Sequence, residues 1–241
     1  NTVSWGRGGI SNCGTIMNRV TILLMSILLV AASLRLVALS TNPPSTYWDE
    51  TSLGYDAYSL LKTGKDYHGN PFPILAFPSF GDYKPSLYFY AIVPFMAVLG
   101  PTTLAIRLPS ALAGIVTTWL VYLIGKKLKA ERLGLLAALF FAVQPWSVHI
   151  SRAGFETNLA SMLVALGIYF CLRAWQNARF LVGSAVAFGL SMYAYHSARI
   201  ISPILAFVFT LDRKIWKNFT WVVVAGVIGI IFAFPLALNL K

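Results

Sequence analysis

From Ile106 to Val143 the chain reads IRLPSALAGIVTTWLVYLIGKKLKAERLGLLAALFFAV. One long apolar stretch ends in Lys126, Lys127, Lys129 and Arg132, and a second begins at once. A lipid bilayer needs about 20 apolar residues per helical crossing. Lysines and arginines in short connections stay on the cytoplasmic side. The stretch therefore predicts two antiparallel spans joined by a cytoplasmic turn, and with them the fold class: an all-α polytopic membrane protein.

The rest of the chain repeats this pattern. Of 241 residues, 57% are hydrophobic and 11% charged, with a mean hydropathy of +0.69. Soluble domains are about a quarter charged. Apolar runs fall at 20–40, 86–99, 103–125, 133–149, 157–172, 180–194, 200–211 and 219–239. The Lys126 cluster, the pair Arg173 and Arg179, the group Arg213, Lys214 and Lys217, and Arg7 with Arg19 hold eleven of the nineteen basic residues. All are expected on the cytoplasmic side. The net charge of +11 thus reads as loop orientation and membrane-lipid contact, with no nucleic-acid partner.

Orientation constrains the run 86–99. Arg19 and the Lys126 cluster share a side only if an even number of crossings separates them. The runs 20–40 and 103–125 supply two, so SLYFYAIVPFMAVL (86–99), fourteen residues with Pro94 inside, is predicted to lie at the outer interface or re-enter. The other runs alternate, giving about seven spans. Residues 1–18 read as a leader or fragment edge without order, and the run after Met17 as a retained anchor. Residues 19–241 read as one transmembrane module with an outer loop at 41–85.

That loop holds Asp49, Glu50, Asp56, Asp66 and Asp82, five of the eight acids, against Lys62, Lys65 and Lys84. Leu53, Ala57, Leu60 and Leu61 form one helical stripe, with Asp49, Ser52 and Asp56 on another face. Gly64 suits the end of that helix. A second surface helix is expected there. The following NPFPILAFPSFGDYKP (70–85) is expected to be an irregular loop.

Asp49 and Glu50 fit two roles. Acids in a first helical turn are stabilised by the macrodipole and by capping, yet a cap needs one acid and no flanking Tyr47 and Trp48. Lys84 alone fits a snorkelling lysine, Glu156 a cap with Arg152 as its partner, and His196 with Arg199 an aromatic belt and its anchor. Three separate outer segments nevertheless bring ionisable groups to one membrane depth, where they are costly unless paired or functional. Lys84, Arg152, His196 and Arg199 would hold a lipid-linked phosphate. Asp49 would take a proton from an incoming hydroxyl or amine. No cofactor is required; a divalent metal bridging Asp49 and Glu156 is a further option. The remaining candidates are uninformative: Cys13 and Cys171 suggest no disulfide framework, and His68, His149 and His196 no ligand pair.

WDE after the first span, DYKPSLYFY, IRLPSALAGIVTTWLVYLIGKKL, SRAGFET and YHSAR stand in the same order as in GT-C superfamily glycosyltransferases. The chain resembles the branch of dolichyl-phosphate-mannose–protein mannosyltransferases and bacterial lipid A aminoarabinose transferases over about residues 20–240. The resemblance implies an N-terminal membrane module with two juxtamembrane helices in its first outer loop, as part of a longer protein. It implies inverting transfer of a sugar from a polyprenyl-phosphate donor to a protein, lipid or glycan acceptor. The first-loop acid corresponds to Asp49, with Glu50 completing the pair. Glu156 stands where relatives often have Asp. Lys84 and Pro85 match the Lys-Pro associated with the donor phosphate.

The expected location is a plasma (inner) membrane with the active site on its non-cytoplasmic face. The absence of a P-loop or GxGxxG agrees with a donor that carries no nucleotide. Two other classes use the same residues: a carrier or flippase for a lipid-linked solute, which would want polar groups at broken helices near the midplane, and a non-catalytic membrane subunit.

Overall fold

A computed structural model describes residues 8–238. Among them are ten α-helices and one small sheet. The first helix, α1, covers Gly8–Leu36, so the segment expected to lack order joins the anchor helix from Gly8 onward; residues 1–7 lie outside the described residues. The surface helix α2 (Trp48–Thr63) follows, then strands β1 (Ala76–Ser79) and β2 (Asp82–Pro85), and the short apolar α3 (Leu87–Leu99). The bundle continues through α4 (Thr103–Lys127), α5 (Glu131–Val143), α6 (Pro145–Arg152), α7 (Glu156–Ala174), α8 (Phe180–Met192), α9 (Ala198–Thr210) and α10 (Phe219–Leu238).

Helix α4 is the hub. It packs on α1, α3, α5, α6 and α7, and its buried residues include the small Ala105, Ser110, Ala111, Ala113 and Gly114. Small side chains let helices approach closely where no water drives them together. The α2 stripe is as expected: Leu53, Ala57 and Leu60 are buried against Tyr88, Phe89 and Ile92 of α3. Gly64 ends α2 with φ 69°, its N–H on the Leu60 carbonyl.

Among the described residues, four helical segments are long and apolar enough to cross a membrane: Arg19–Leu36, Thr103–Lys127, Glu156–Ala174 and Phe219–Leu238. The α5–α6 pair, bent by 56°, makes a fifth if it is one span. Helices α3, α8 and α9 have 13 residues each, about 20 Å of helix against a hydrocarbon core of about 30 Å. The length of α3 agrees with the expected interfacial or re-entrant helix, and α8 and α9 share that length. By length and composition the structure supports four or five spans; seven are reached only by counting α8 and α9. Those two still run between the ends of the bundle in the expected sense.

The two ends differ in chemistry. At one, Lys126 pairs with Glu131 at 3.1 Å, Lys127 donates to Gln176, Arg173 lies over the Phe180 ring and Lys214 over Trp175. At the other meet residues 45–50, 82–88, 102–107, 150–156 and 193–199. The grouping matches the expected alternation of loops.

The break between α5 and α6 was not foreseen in the run 133–149. Pro145 begins α6 and holds Gln144 in extended backbone, ψ 122°, because the residue before a proline avoids the helical region. The carbonyls freed at the break accept from a buried cation: Arg35 donates to Phe141 and Ala142 O at 3.2 and 2.9 Å. Its other contacts are Ser147 Oγ, Ser151 Oγ and Ala31 O. Arg35 is fully buried and its bonds all go to neutral oxygens.

Candidate functional site

The segment 70–85, expected to be irregular, ends in an antiparallel hairpin pairing Phe77 with Lys84 and Ser79 with Asp82. Its turn residues Phe80 and Gly81 have φ 49° and 83°. Left-handed backbone at both central positions gives the turn whose twist matches paired strands. Directly paired residues share a face, so Lys84 points inward with Phe77. Phe77 is buried and stacks on Phe89 at 4.0 Å, and Ser79 bonds the Ser52 hydroxyl of α2 at 2.8 Å. The hairpin is thereby clamped over the start of α2.

That clamp delivers Lys84 to two carboxylates. Its ammonium is 2.7 Å from Asp49 Oδ1 and 3.9 Å from Glu156 Oε1, with side chains 12%, 25% and 10% exposed. Glu156 Oε2 is buried with no hydrogen-bond partner among the described residues. A buried acceptor without a partner costs about 1–3 kcal/mol. Three distant segments therefore converge on one half-buried cluster bearing two carboxylates and one ammonium.

The neighbouring acid goes elsewhere. Glu50, read from sequence as the second member of a catalytic pair, points into the fold. Its oxygens lie 2.7 and 3.1 Å from Nε and Nη2 of Arg107, both residues being fully buried, and Oε2 also accepts the Tyr47 N–H. Arg107 further donates to the Leu39, Pro43 and Ser45 carbonyls. Glu50 thus fixes the start of α2, the capping role that was its alternative. Gly154, φ 61°, makes room for it: a Cβ there would sit 3.0 Å from Glu50 Oε1. Arg107 was not picked out from the sequence. The available signal was a guanidinium inside an apolar run, which has to find partners.

Arg152, read as a phosphate ligand, is also spent on backbone. It donates to the carbonyls of Leu34, Val37, Ala38 and Asn42, where α1 has unwound and its last carbonyls lack helical donors. His196 is exposed and its Nε2 lies 2.9 Å from the Tyr83 carbonyl, tying the α8–α9 turn to β2. Beside it the Leu87 N–H donates to Tyr193 O. Arg199 gives Nε to Met192 O at 3.3 Å, and its terminal nitrogens show no protein acceptor among the described residues. The structure therefore joins Asp49, Lys84 and Glu156 directly, sets His196 against the same hairpin, holds Arg199 on the Met192 carbonyl at the end of α8, and pairs Glu50 and Arg152 with groups of the fold.

For a metal, the donor set is poor. No group of three or more His, Cys, Asp or Glu suited to a metal occurs among the described residues. The Lys84 ammonium already lies between the two carboxylates that would bridge one.

The sequence model for dolichyl-phosphate-mannose-protein mannosyltransferases matches residues 83–238. The chain belongs to that family. No curated protein matches it. As a member of the mannosyltransferase family, it is a multi-pass membrane glycosyltransferase of the GT-C type. The match begins at Tyr83 and so includes Lys84, Arg107, Glu156 and Arg199 but not Asp49. Asp49 lies outside the matched residues and pairs with Lys84 inside them.

Proposed function

We propose that the protein transfers a sugar from a polyprenyl-phosphate donor to an acceptor hydroxyl or amine, with inversion, at the non-cytoplasmic face of the plasma (inner) membrane, and that Asp49 is the base. The observation that carries this is the Asp49–Lys84–Glu156 cluster, at the end of the bundle opposite the basic loops. Family membership supports a lipid-linked donor and a glycosylation acceptor.

The steps follow from the arrangement. Lys84 and Arg199 neutralise the donor phosphate. As the glycosidic bond breaks, charge grows on the phosphate oxygen, and preformed cations stabilise it in a poorly hydrated site. The anomeric carbon gains oxocarbenium character, as in glycoside hydrolysis. Asp49 removes the acceptor proton while the acceptor attacks from the face opposite the phosphate. Glu156 Oε2, free of protein donors, accepts a sugar or acceptor hydroxyl. A cavity of about 400 Å³ between α8, α9 and α10, lined by apolar groups such as Phe188, Phe207 and Ile230 and reaching Met192 beside Arg199, supports a site for the lipid tail.

Asp49→Asn should abolish transfer of labelled sugar in proteoliposomes while leaving membrane insertion unchanged. Near-normal transfer would remove Asp49 from the role of base. One observation favours the carrier reading, the break between α5 and α6 with Arg35 buried against it. Donor movement across vesicles without sugar transfer would establish that reading instead.

A further inference from the structure

Four aromatic rings form a continuous rim beside the carboxylates. Trp48 stacks on Phe80 at 5.6 Å and 20°. Tyr47 meets the edge of Trp48 at 5.8 Å and Phe155 at 6.2 Å. Trp48, Phe80 and Tyr47 are 60%, 66% and 50% exposed, although α2 has an apolar stripe buried on its other side. The rings come from the same three segments as the polar cluster. Tyr47 and Trp48 directly precede Asp49, Phe155 directly precedes Glu156, and Phe80 sits on the hairpin turn that leads to Lys84.

We propose that this rim is the acceptor subsite and that it takes a pyranose ring, with Trp48 as its platform. The proposal rests on Asp49 being the base that receives the acceptor's proton. A pyranose has an apolar C–H face and a periphery of hydroxyls. An exposed aromatic surface next to a few convergent polar groups is the matching site: the rings take the face and Asp49 takes one hydroxyl. A peptide acceptor adding as a strand finds little to bind. Pro78 and Pro85 remove backbone donors from the two hairpin strands, and the Tyr83 carbonyl already faces His196; strand addition depends on such groups.

The test uses the full chain in nanodiscs with three soluble probes: methyl α-mannopyranoside, methyl β-glucopyranoside and a capped Ser/Thr peptide. Saturation-transfer NMR should show contact to the ring C–H protons of at least one glycoside. Binding should weaken on the order of tenfold in Trp48→Ala, which removes the large apolar surface that faces the sugar's C–H groups. Trp48→Phe, which keeps a ring, should retain most of it and shows that the fold survives, and Asp49→Asn should bind the glycoside yet fail to transfer. Equal glycoside contact in wild type and Trp48→Ala overturns the subsite. So does a Trp48 dependence seen with the peptide alone. Quenching of the Trp48 emission by brominated lipids, read as wild type minus Trp48→Phe, would make the rim a membrane-interface belt and also overturn it. If glycoside binding depends on Trp48 while no transfer occurs in any assay, pyranose binding at the rim stands, and the transferase reading falls together with the acceptor role.

Discussion

Lys84 and Arg107 are both cations bonded to an acid of the α2 first turn, and they do opposite things. Arg107 is fully buried, and besides Glu50 it binds three carbonyls of the 39–45 segment. Arg35 and Arg152 resemble it: each satisfies carbonyls where a helix has stopped, at the α5–α6 break and beyond α1. Lys84 lies shallower, binds no carbonyl, and stands between two carboxylates, one with an oxygen that no described residue satisfies. The guanidinium has five donors in a fixed fork and suits several converging oxygens; the ammonium is a compact point charge. Arg35, Arg107 and Arg152 each hold several backbone carbonyls and build the frame; Lys84 faces only acids and belongs to the proposed site.

The sharpest test of this division is Arg107→Leu. It strands Glu50 as a buried, unpaired charge, which costs about 3–5 kcal/mol, and frees three carbonyls as well. Thermal unfolding in detergent should show the loss directly. Arg107→Lys should rescue little of it, because one ammonium cannot replace the fork. An Arg107→Leu protein that melts like wild type and loses only activity would move Arg107 from frame to site.

Lys84→Met should do the reverse. Transfer should fall by about 10²–10⁴ if Lys84 stabilises the leaving phosphate. Stability should fall by less than in Arg107→Leu, because Asp49 keeps 25% of its side chain exposed and no backbone carbonyl loses a donor. A large drop in melting temperature with residual activity would put Lys84 among the structural cations.

Asp56 tests the frame with pH. It is buried, with one oxygen accepting the Tyr67 N–H at 2.9 Å and the other unpaired. Burial pushes its carboxyl up to about 6, Asp66 adding to the rise while the Tyr67 N–H and His68 oppose it. The fold thus holds this proton more tightly than the unfolded chain. The stability it contributes is complete below about pH 4 and is lost as pH rises through about 6. Asp56→Asn should therefore raise stability at about pH 8, by about 1–3 kcal/mol, and leave it unchanged near pH 4. A pH-independent gain would mean that Asp56 is not the titrating group. The smallest effect is expected for His196→Ala, which removes one exposed bond to the hairpin and should cost about 0.5–1.5 kcal/mol or less. It tests whether His196 binds substrate: transfer falling much further than stability would place it in the site.

Much of this was legible in the chain. The spacing of Leu53, Ala57 and Leu60 and the glycine at 64 describe α2 because a surface helix must bury one stripe and end somewhere. The rarity of charge made Asp49, Lys84 and Glu156 conspicuous, and their convergence follows from where the basic loops lie. The hairpin was hidden because its strands are four residues each and contain prolines, which reads as loop; Phe80-Gly81 was its one local sign. The carbonyl partners of Arg152 were hidden because a guanidinium near a phosphate and one near orphan carbonyls look identical in sequence.

Composition and the placement of lysine and arginine fixed, without coordinates, a helical membrane protein whose scarce acids gather at one end, since a bilayer tolerates neither unpaired backbone nor stray charge. Which of two adjacent acids points into the fold and which pairs with Lys84 was decided only by packing. Asp49 and Glu50 are one residue apart on a helix, about 100° around its axis. The position of Arg107 on another helix, unreadable from local pattern, draws one acid inward and leaves the other beside Lys84.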